Sequence, residues 1–434
     1  MKKVAFFTLG CKVNQYETEA ISENFLKNDY EVVDFEDVSD VYIINTCTVT
    51  SLSDKKCRQM IRRAKKNNEN AVIVAVGCYV QNDPEAVKAI DGVNVLVGTN
   101  HKNQIVDLVE EYMRTNMSIE KVDEFKDLNA FEELEISHTS DRTRAYLKIQ
   151  EGCNQFCSYC IIPYVRGKIR SRDLENIKKE VIRLTENGFK EIVLTGIHVA
   201  SYGKDLNSEI SLIDVIEQIA KVEKLKRIRL SSIEPRIVTE DFMERLSKTD
   251  KICDHFHLSL QSGSEKVLKE MNRKYTKAEY KDAVRMIRKY MEDAAITTDV
   301  IVGFPGETGD EFVESMEFVK DIKFSDVHVF SYSNREGTVA SKRVDQIENK
   351  VKQERSKKLI EEVEKLKIEF LNKFIGTTME VLFEEERDGF YIGHSKNYIK
   401  VKIKTDKNIM PPVITFFVLP FRFSRVNTAV EANQ

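Results

Sequence analysis

From Ala145 onward the chain repeats one phrase six times: a short apolar run, then a segment long enough to be a crossover helix. The runs are Ala145–Gln150, Glu191–Thr195, Arg227–Ser231, Phe256–Leu260, Ile296–Val302 and Asp326–Phe330, separated by helical stretches such as Asp173–Asn187, Leu212–Lys221 and Thr276–Tyr290. Strands joined through such helices run parallel, and right-handed crossovers curl six of them into a partial (β/α)6 barrel of the TIM type. In such barrels function gathers where the strands end, at the C-terminal face. Those ends here carry a cysteine-rich loop after Gln150, then Thr195-Gly196, Ser232-Ile233-Glu234, Gln261-Ser262-Gly263 and Gly303-Phe304-Pro305-Gly306.

A chain of 434 residues is too long for that barrel alone. Strand-like runs at Val4–Thr8, Val41–Asn45, Ala71–Val76 and Val93–Val97 alternate with helical stretches at Glu17–Lys27, Asp54–Lys66 and Pro84–Ile90, predicting an open α/β sheet over residues 1–117. Residues 118–140 are polar, acidic and without period, as a linker would be. The barrel domain then spans 141–375 and closes on a charged helix, Ile347–Phe374, whose Leu359, Val363, Leu366 and Phe370 form a docking stripe. Alternating runs at Met379–Phe383, Gly389–Gly393 and Tyr398–Ile403 predict a small all-β module over 376–434. Past about residue 407 the alternation fails, and Pro411, Pro412 and Pro420 keep most of that stretch from lying centrally in a sheet.

No apolar stretch reaches the roughly 18 residues a membrane span needs; the longest, Pro411–Phe423, is broken by Pro420 and Arg422. A cytoplasmic protein without membrane contact is expected. There thiols stay reduced, so the eight cysteines point to metal binding or catalysis rather than disulfides. The formal net charge of −4 excludes a uniformly basic coat for nucleic acid but leaves local patches open.

Cys153, Cys157 and Cys160 stand within one loop directly after a strand. Three thiolates hold three irons of a cubane cluster and leave the fourth iron open. A structural zinc knot is the plainer alternative, but it wants four protein ligands and no fourth Cys or His lies nearby. This CxxxCxxC loop resembles that of the radical S-adenosylmethionine superfamily. The resemblance implies that the open iron chelates S-adenosylmethionine, whose one-electron cleavage gives a 5′-deoxyadenosyl radical. It also implies cofactor contacts for Glu234 and Gln261 and a close backbone approach to adenine at Gly303; as bare sequence, each is equally ordinary turn chemistry.

Cys11, Cys47 and Cys78 each follow or close a predicted strand of the first domain, and parallel strands bring such ends to one rim. Three unrelated buried thiols are the alternative. The polar and turn-forming neighbours, as in Gly10-Cys11-Lys12-Val13-Asn14-Gln15, Asn45-Thr46-Cys47-Thr48 and Gly77-Cys78, favour a second cluster. Both trios together resemble the methylthiotransferase family, which joins an auxiliary-cluster domain, a radical barrel and a C-terminal β-barrel called TRAM. The resemblance implies two [4Fe-4S] clusters, with the auxiliary one on Cys11, Cys47 and Cys78 carrying or donating sulfur. One S-adenosylmethionine supplies the methyl group and another the radical; an electron donor such as flavodoxin or ferredoxin is implied as well. The Gly10-Cys11-Lys12-Val13-Asn14 opening and the Ile161-Ile162-Pro163-Tyr164-Val165-Arg166-Gly167 stretch look most like the branch acting on N6-threonylcarbamoyladenosine at tRNA position 37. The isopentenyladenosine branch opens on Gly-Cys-Gln-Met-Asn and the ribosomal-protein aspartate branch on Gly-Cys-Pro-Lys-Asn. A non-catalytic metal-binding RNA module is the rival of a different class. The tail past residue 407 does not resemble the family's ending, and a shifted reading frame is the expected cause.

Arg166, Arg170 and Arg172, with Lys168, crowd the stretch after the cysteine loop and are candidates for tRNA phosphate or the threonyl carboxylate, or else a solvated charge run. Lys55 to Lys66 form a basic helix best read as a solvated face. His198, His255, His257 and His328 read as packing or surface residues, and Cys57 and Cys253 as non-ligands.

Overall fold

The computed structural model describes residues 1–137, 143–404, 413–418 and 430–432. Its first unit is a six-stranded sheet ordered β2-β1-β3-β4-β5-β6, made of β1 Lys2–Thr8, β2 Tyr30–Val33, β3 Val41–Thr46, β4 Val72–Gly77, β5 Val93–Val97 and β6 Ile119–Lys121. Every pairing is parallel. β3 and β4 are buried along their whole length, the pattern of a sheet covered on both faces. One face packs Ile44, Ile73 and Ala75 on Cys57 and Ile61; the other packs Ile43, Val74 and Val76 on Ile21, Phe25 and Val109. The register pairs Thr8 with Asn45 and Thr46 with Gly77. The three strands therefore end in one row, and Cys11, Cys47 and Cys78 stand just beyond it.

The expected linker is a docked strap. After β6 joins the sheet, Leu128, Leu134 and Ile136 are buried, while Glu132 faces Lys102, Glu133 faces Arg172 and Glu135 faces Arg183. Widely spaced apolar residues carry no period, yet each finds its own recess once the two flanking domains supply it. Residues 138–142 lie outside the described residues.

The barrel has the six expected parallel strands: β7 Arg144–Glu151, β9 Glu191–Gly196, β10 Arg227–Leu230, β11 His255–His257, β12 Ala295–Val302 and β13 Asp326–Ser331. A two-residue β8, Arg170–Ser171, pairs antiparallel with β7. The pairings Ile228↔Ile252 and Ile233↔Leu258 join β10 to the β11 side, so the wall curls without a break. β11 is shorter than its apolar run because the Thr298 hydroxyl donates to the Leu258 carbonyl and accepts from the Leu260 N–H, replacing ladder bonds. The barrel core also takes Tyr16 and Ala20 from the helix Lys12–Lys27, and Leu359 and Val363 from the helix Asn349–Asn372. The Lys12–Lys27 helix thus serves two cores, turning Ile21 and Phe25 to the sheet and Tyr16 to the barrel.

The last unit is a sheet ordered β17-β14-β15-β16-β18, with β14 Thr378–Arg387, β15 Phe390–Ser395, β16 Lys400–Ile403, β17 Val413–Val418 and β18 Val430–Ala432. Val413–Val418 lies at the sheet edge, antiparallel to β14, in the one stretch of the tail between Pro412 and Pro420. The three prolines and most of the tail lie outside the described residues. The module sits on the N-terminal end of β10, where buried Arg227 donates to Glu380 at 2.8 Å and Arg229 to the Lys396 carbonyl at 3.0 Å. Among the described residues, no helix is long and apolar enough to cross a membrane.

Candidate active site at the barrel mouth

β7 delivers the chain to the mouth, and the loop Cys153–Cys160 turns there before the short helix Ile162–Arg166. Neighbouring segments pin it: the Cys153 N–H donates to the Gly167 carbonyl at 3.0 Å, the Ser158 N–H to the Met271 carbonyl at 3.0 Å, and the Ala340 N–H to the Ser158 carbonyl at 2.7 Å. Burial pushes the Cys153 thiol up to about 11 and the Cys160 thiol to about 12. Against that, the N–H groups of Gln155 and Ile162 donate to these two sulfurs, and Arg273 donates to Cys157 Sγ at 3.2 Å. Such donors favour thiolates, and a bound metal completes the deprotonation. Among the described residues, no three His, Cys, Asp or Glu side chains group as a single metal ion requires. A cubane places each thiolate on a different iron and so needs a wider spacing, which suits three soft donors on one loop.

The second trio is built by backbone conformation and two asparagines. Gly10 has φ +109°, and a Cβ there would lie 2.9 Å from Asn14 Nδ2 and 3.0 Å from Cys47 Cβ, so only glycine lets the Cys11 turn close on Cys47. Asn14 donates to the carbonyls of Leu9, at 2.7 Å, and Thr46, at 3.0 Å, tying the ends of β1 and β3 together. Asn45 donates to the Asn14 carbonyl at 2.9 Å. Burial raises the thiols of Cys47 and Cys78, the latter to about 12, although the Arg166 guanidinium opposes the shift at Cys78. Cys11 is exposed to the barrel cavity. Cys57 is turned to the Cys47 carbonyl at 3.6 Å and Cys253 is buried near Glu191.

One side chain touches both halves. Arg166, wholly buried, donates to Cys78 Sγ at 3.1 Å, to Asn14 Oδ1 at 2.6 Å, to Glu17 at 3.0 and 3.2 Å and to Glu151 at 3.0 and 3.1 Å. Lys148 bridges the same two carboxylates at 3.1 and 3.0 Å. Burial alone would raise the Glu17 carboxyl, but Arg166, Lys102 and Lys148 outweigh it and hold it at about 2. The expectation that Arg166, Arg170 and Arg172 meet tRNA is therefore corrected. All three are buried: Arg170 donates to the Leu128 carbonyl at 2.7 Å, and Arg172 holds Glu133 at 2.7 Å and Glu180. Their charge is spent on joining the sheet domain, the strap and the barrel.

The Radical SAM superfamily pattern matches residues 147–319, and that of the Uncharacterized protein family UPF0004 matches residues 3–98. Over 424 residues, 96% of this chain and 94% of its counterpart, the sequence is 44% identical to the threonylcarbamoyladenosine tRNA methylthiotransferase MtaB of Bacillus subtilis. It is 33% identical over 442 residues, 100% of this chain and 98% of the relative, to the tRNA-2-methylthio-N(6)-dimethylallyladenosine synthase of Pelotomaculum thermopropionicum. This chain belongs to the radical S-adenosylmethionine methylthiotransferase family. Among solved structures, the radical S-adenosylmethionine methyltransferase TsrM from Kitasatospora setae, with cobalamin and a [4Fe-4S] cluster bound, is similar in fold. That match has a TM-score of 0.59 at 14% identity and covers 79% of this chain and 77% of that one.

In this methylthiotransferase the remaining expected residues divide. Glu234 faces the cysteine loop, accepting from Gln155 at 3.2 Å and from His198 at 3.3 Å; burial raises its carboxyl, but His198 and Arg236 prevail and hold it at about 2. Gln261 adopts φ +73° and its backbone joins β12, through Asp299 and Ile301, while its amide makes no hydrogen bond among the described residues. Gly303 has its N–H taken by Glu307 at 2.7 Å, and its φ of +69° together with Lys352 Cγ, 2.4 Å from where a Cβ would lie, makes the position one for glycine. Sequence reasoning missed Arg273, which has no motif around it, and Glu17 and Glu151, which were visible only as letters beside the cysteines. It also missed Arg335, which reaches from the loop after β13 to buried Asp54 and Thr48, beside Cys47.

Proposed function

We propose that this methylthiotransferase adds a methylthio group to C2 of N6-threonylcarbamoyladenosine at position 37 of tRNA. The observation that carries the reading is the shared mouth: Cys78 of one trio packs on Ile161, the residue after Cys160 of the other, and accepts from Arg166 of the same stretch, while Cys11 opens into the barrel cavity. Substrate choice is supported by the 44% identity to the B. subtilis threonylcarbamoyladenosine enzyme against 33% to the dimethylallyladenosine one. Cys153, Cys157 and Cys160 would hold the radical cluster, and Cys11, Cys47 and Cys78 the auxiliary one. When bound, the first supplies one-electron cleavage of S-adenosylmethionine and the second supplies sulfur.

The chain's own residues do the rest. Arg273 and the N–H groups of Gln155 and Ile162 stabilise thiolate charge on the loop, and Arg166 does so at Cys78. Glu234 fixes Gln155, and with it the turn between Cys153 and Cys157. The curled wall lines the cavity, so that a substrate seated there displaces water from around the reacting groups. The two-domain layout, 1–117 and 141–375 with the β module at 376–434, makes the mouth an interface, where tRNA, cytoplasmic and bound from outside, presents one base. The electron donor would be a flavodoxin or ferredoxin.

The test is the nucleoside profile of tRNA from a strain lacking the gene, with and without the chain restored. Restoration of the 2-methylthio form of N6-threonylcarbamoyladenosine is expected. An unchanged tRNA profile with loss of a methylthio group from a ribosomal protein would overturn the reading in favour of its rival.

A further inference from the structure

Behind the mouth lies a cavity of about 800 Å³, within the size range of ligand pockets. It is lined by Gly196, Ser231 and Ser232 at the C-terminal ends of β9 and β10, and by His255, Ala295 and Asp326 at the N-terminal ends of β11, β12 and β13, so it runs along the barrel lumen. Cys11 and Lys12 form part of its wall. Of the other cations that line it, Arg144 pairs with Glu384 at 3.2 Å, Arg229 with Glu191 at 2.7 Å and Lys367 with Asp326 at 2.9 Å, while Lys400 belongs to β16 of the C-terminal module, far in sequence from either cysteine trio. The lumen acid Asp299 is faced by His257 at 3.3 Å. Lys12 makes no hydrogen bond or ion pair among the described residues; burial, with Arg229 and Arg144 nearby, lowers its pKa, and Asp299 and Glu191 oppose that only through space, so an anion brought to it would meet an unmatched cation.

Its position relative to Cys11 matters because of the substrate's own geometry. In adenine, C2 and C6 flank the same ring nitrogen, so a group hung on N6 lies within a side chain's length of C2. Sulfur must reach C2 from the trio that contains Cys11. The N6 substituent therefore lies near whatever follows Cys11 in the cavity wall. On N6-threonylcarbamoyladenosine that substituent ends in a free carboxylate, which taken out of water needs a cationic partner.

We propose that Lys12 receives the free carboxylate of the N6-threonylcarbamoyl group and is a specificity-determining residue for it. This rests on the substrate reading above. A lysine meets the requirement by a compact ammonium on a flexible stem, and its pairing is strengthened by the walls of the lumen.

The experiment uses the full chain with both clusters reconstituted anaerobically. Equilibrium binding is measured for an anticodon stem-loop RNA carrying N6-threonylcarbamoyladenosine and for the same RNA with the threonyl carboxylate as its methyl ester. The wild-type chain is expected to prefer the acid by roughly tenfold to a hundredfold, the scale of a hydrogen bond to a charged group. Lys12→Gln should bring the two RNAs to within about twofold of each other, and Lys12→Arg should keep most of the preference. Iron content and unfolding midpoint report whether each variant is folded; if Lys12→Gln is not, the acid-to-ester ratio of the wild-type chain and of Lys12→Arg decides. Equal binding of acid and ester by the wild-type chain, or a folded Lys12→Gln that still discriminates, would overturn the assignment. A wild-type chain that binds the acid preferentially yet methylthiolates neither RNA refutes the substrate reading while leaving Lys12 as the carboxylate receptor.

Discussion

Replacing Arg166 by methionine is the most informative single perturbation, because it removes one side chain from the junction of both domains without changing its volume much. Six hydrogen bonds vanish. Glu17 and Glu151 remain, 0% and 3% exposed, with Lys148 and Lys102 as the cations paired with them among the described residues and Arg170 acting on Glu151 through space. Removing one partner of a buried ion pair costs about 3–5 kcal/mol. Two lysines still compensate the acids, so the low end, about 3 kcal/mol, is expected, a large part of the ~5–15 kcal/mol that holds a domain folded. In hydrogen exchange followed by mass spectrometry, amides of the helix Lys12–Lys27 should lose roughly a hundredfold in protection, at about 1.4 kcal/mol per decade. Adding Glu17→Gln to Arg166→Met removes a buried acid that has lost its guanidinium and shares Lys102 with Glu132, and should recover part of the loss, whereas Glu17→Gln alone should lower protection. An Arg166→Met chain that exchanges within about threefold of wild type, or effects that simply add, would show that the network does not hold the domains together.

Replacing Cys153, Cys157 or Cys160 by alanine should abolish 5′-deoxyadenosine formation, measured by chromatography, whereas replacing Cys11, Cys47 or Cys78 should spare it and abolish methylthiolated product. Equal loss from both sets, with folding intact, would refute the division of labour. Gly303→Ala should lower stability by about 1–3 kcal/mol in denaturant titration, because φ +69° and the contact with Lys352 Cγ both oppose a Cβ; Lys352→Ala should relieve only the contact. The Glu234 carboxyl, held at about 2 against an ordinary 4.5, binds fewer protons folded than unfolded between those values. Its stabilisation is therefore fully present above pH 4.5 and lost as pH falls toward 2, so the stability gap between wild type and Glu234→Gln should close across that window.

Much of the barrel was legible because its signal is local and repeated. Six apolar runs at crossover spacing need no knowledge of tertiary contacts to be counted, and all six form strands. The others differ from their runs by a residue at an end; β11 stops short of its run by three, since the Thr298 hydroxyl on neighbouring β12 takes over its ladder bonds. The strap at 118–137 shows the opposite case. Leu128, Leu134 and Ile136 have no common period, so nothing marks them as buried until other elements provide their recesses. The tail strand Val413–Val418 escaped notice because flanking prolines obscured a six-residue run that needs none of them in its interior.

The cysteines divide along the same line. Cys153, Cys157 and Cys160 are grouped by spacing alone, since one loop carries all three donors. Cys11, Cys47 and Cys78 are scattered, and parallel-sheet topology had to be supplied before they met at one rim. What the sequence by itself determined was which elements form and which soft donors exist, both encoded in short-range pattern. Only the tertiary structure decided where the charges go: Arg166 and Arg172, part of a basic run on paper, are drawn inward by buried carboxylates and Arg170 by the Leu128 carbonyl, while Lys12 faces the lumen with no partner among the described residues. A charge's fate depends on the nearest opposite charge in space and on how much water remains around it, and neither is a property of its neighbours in the chain.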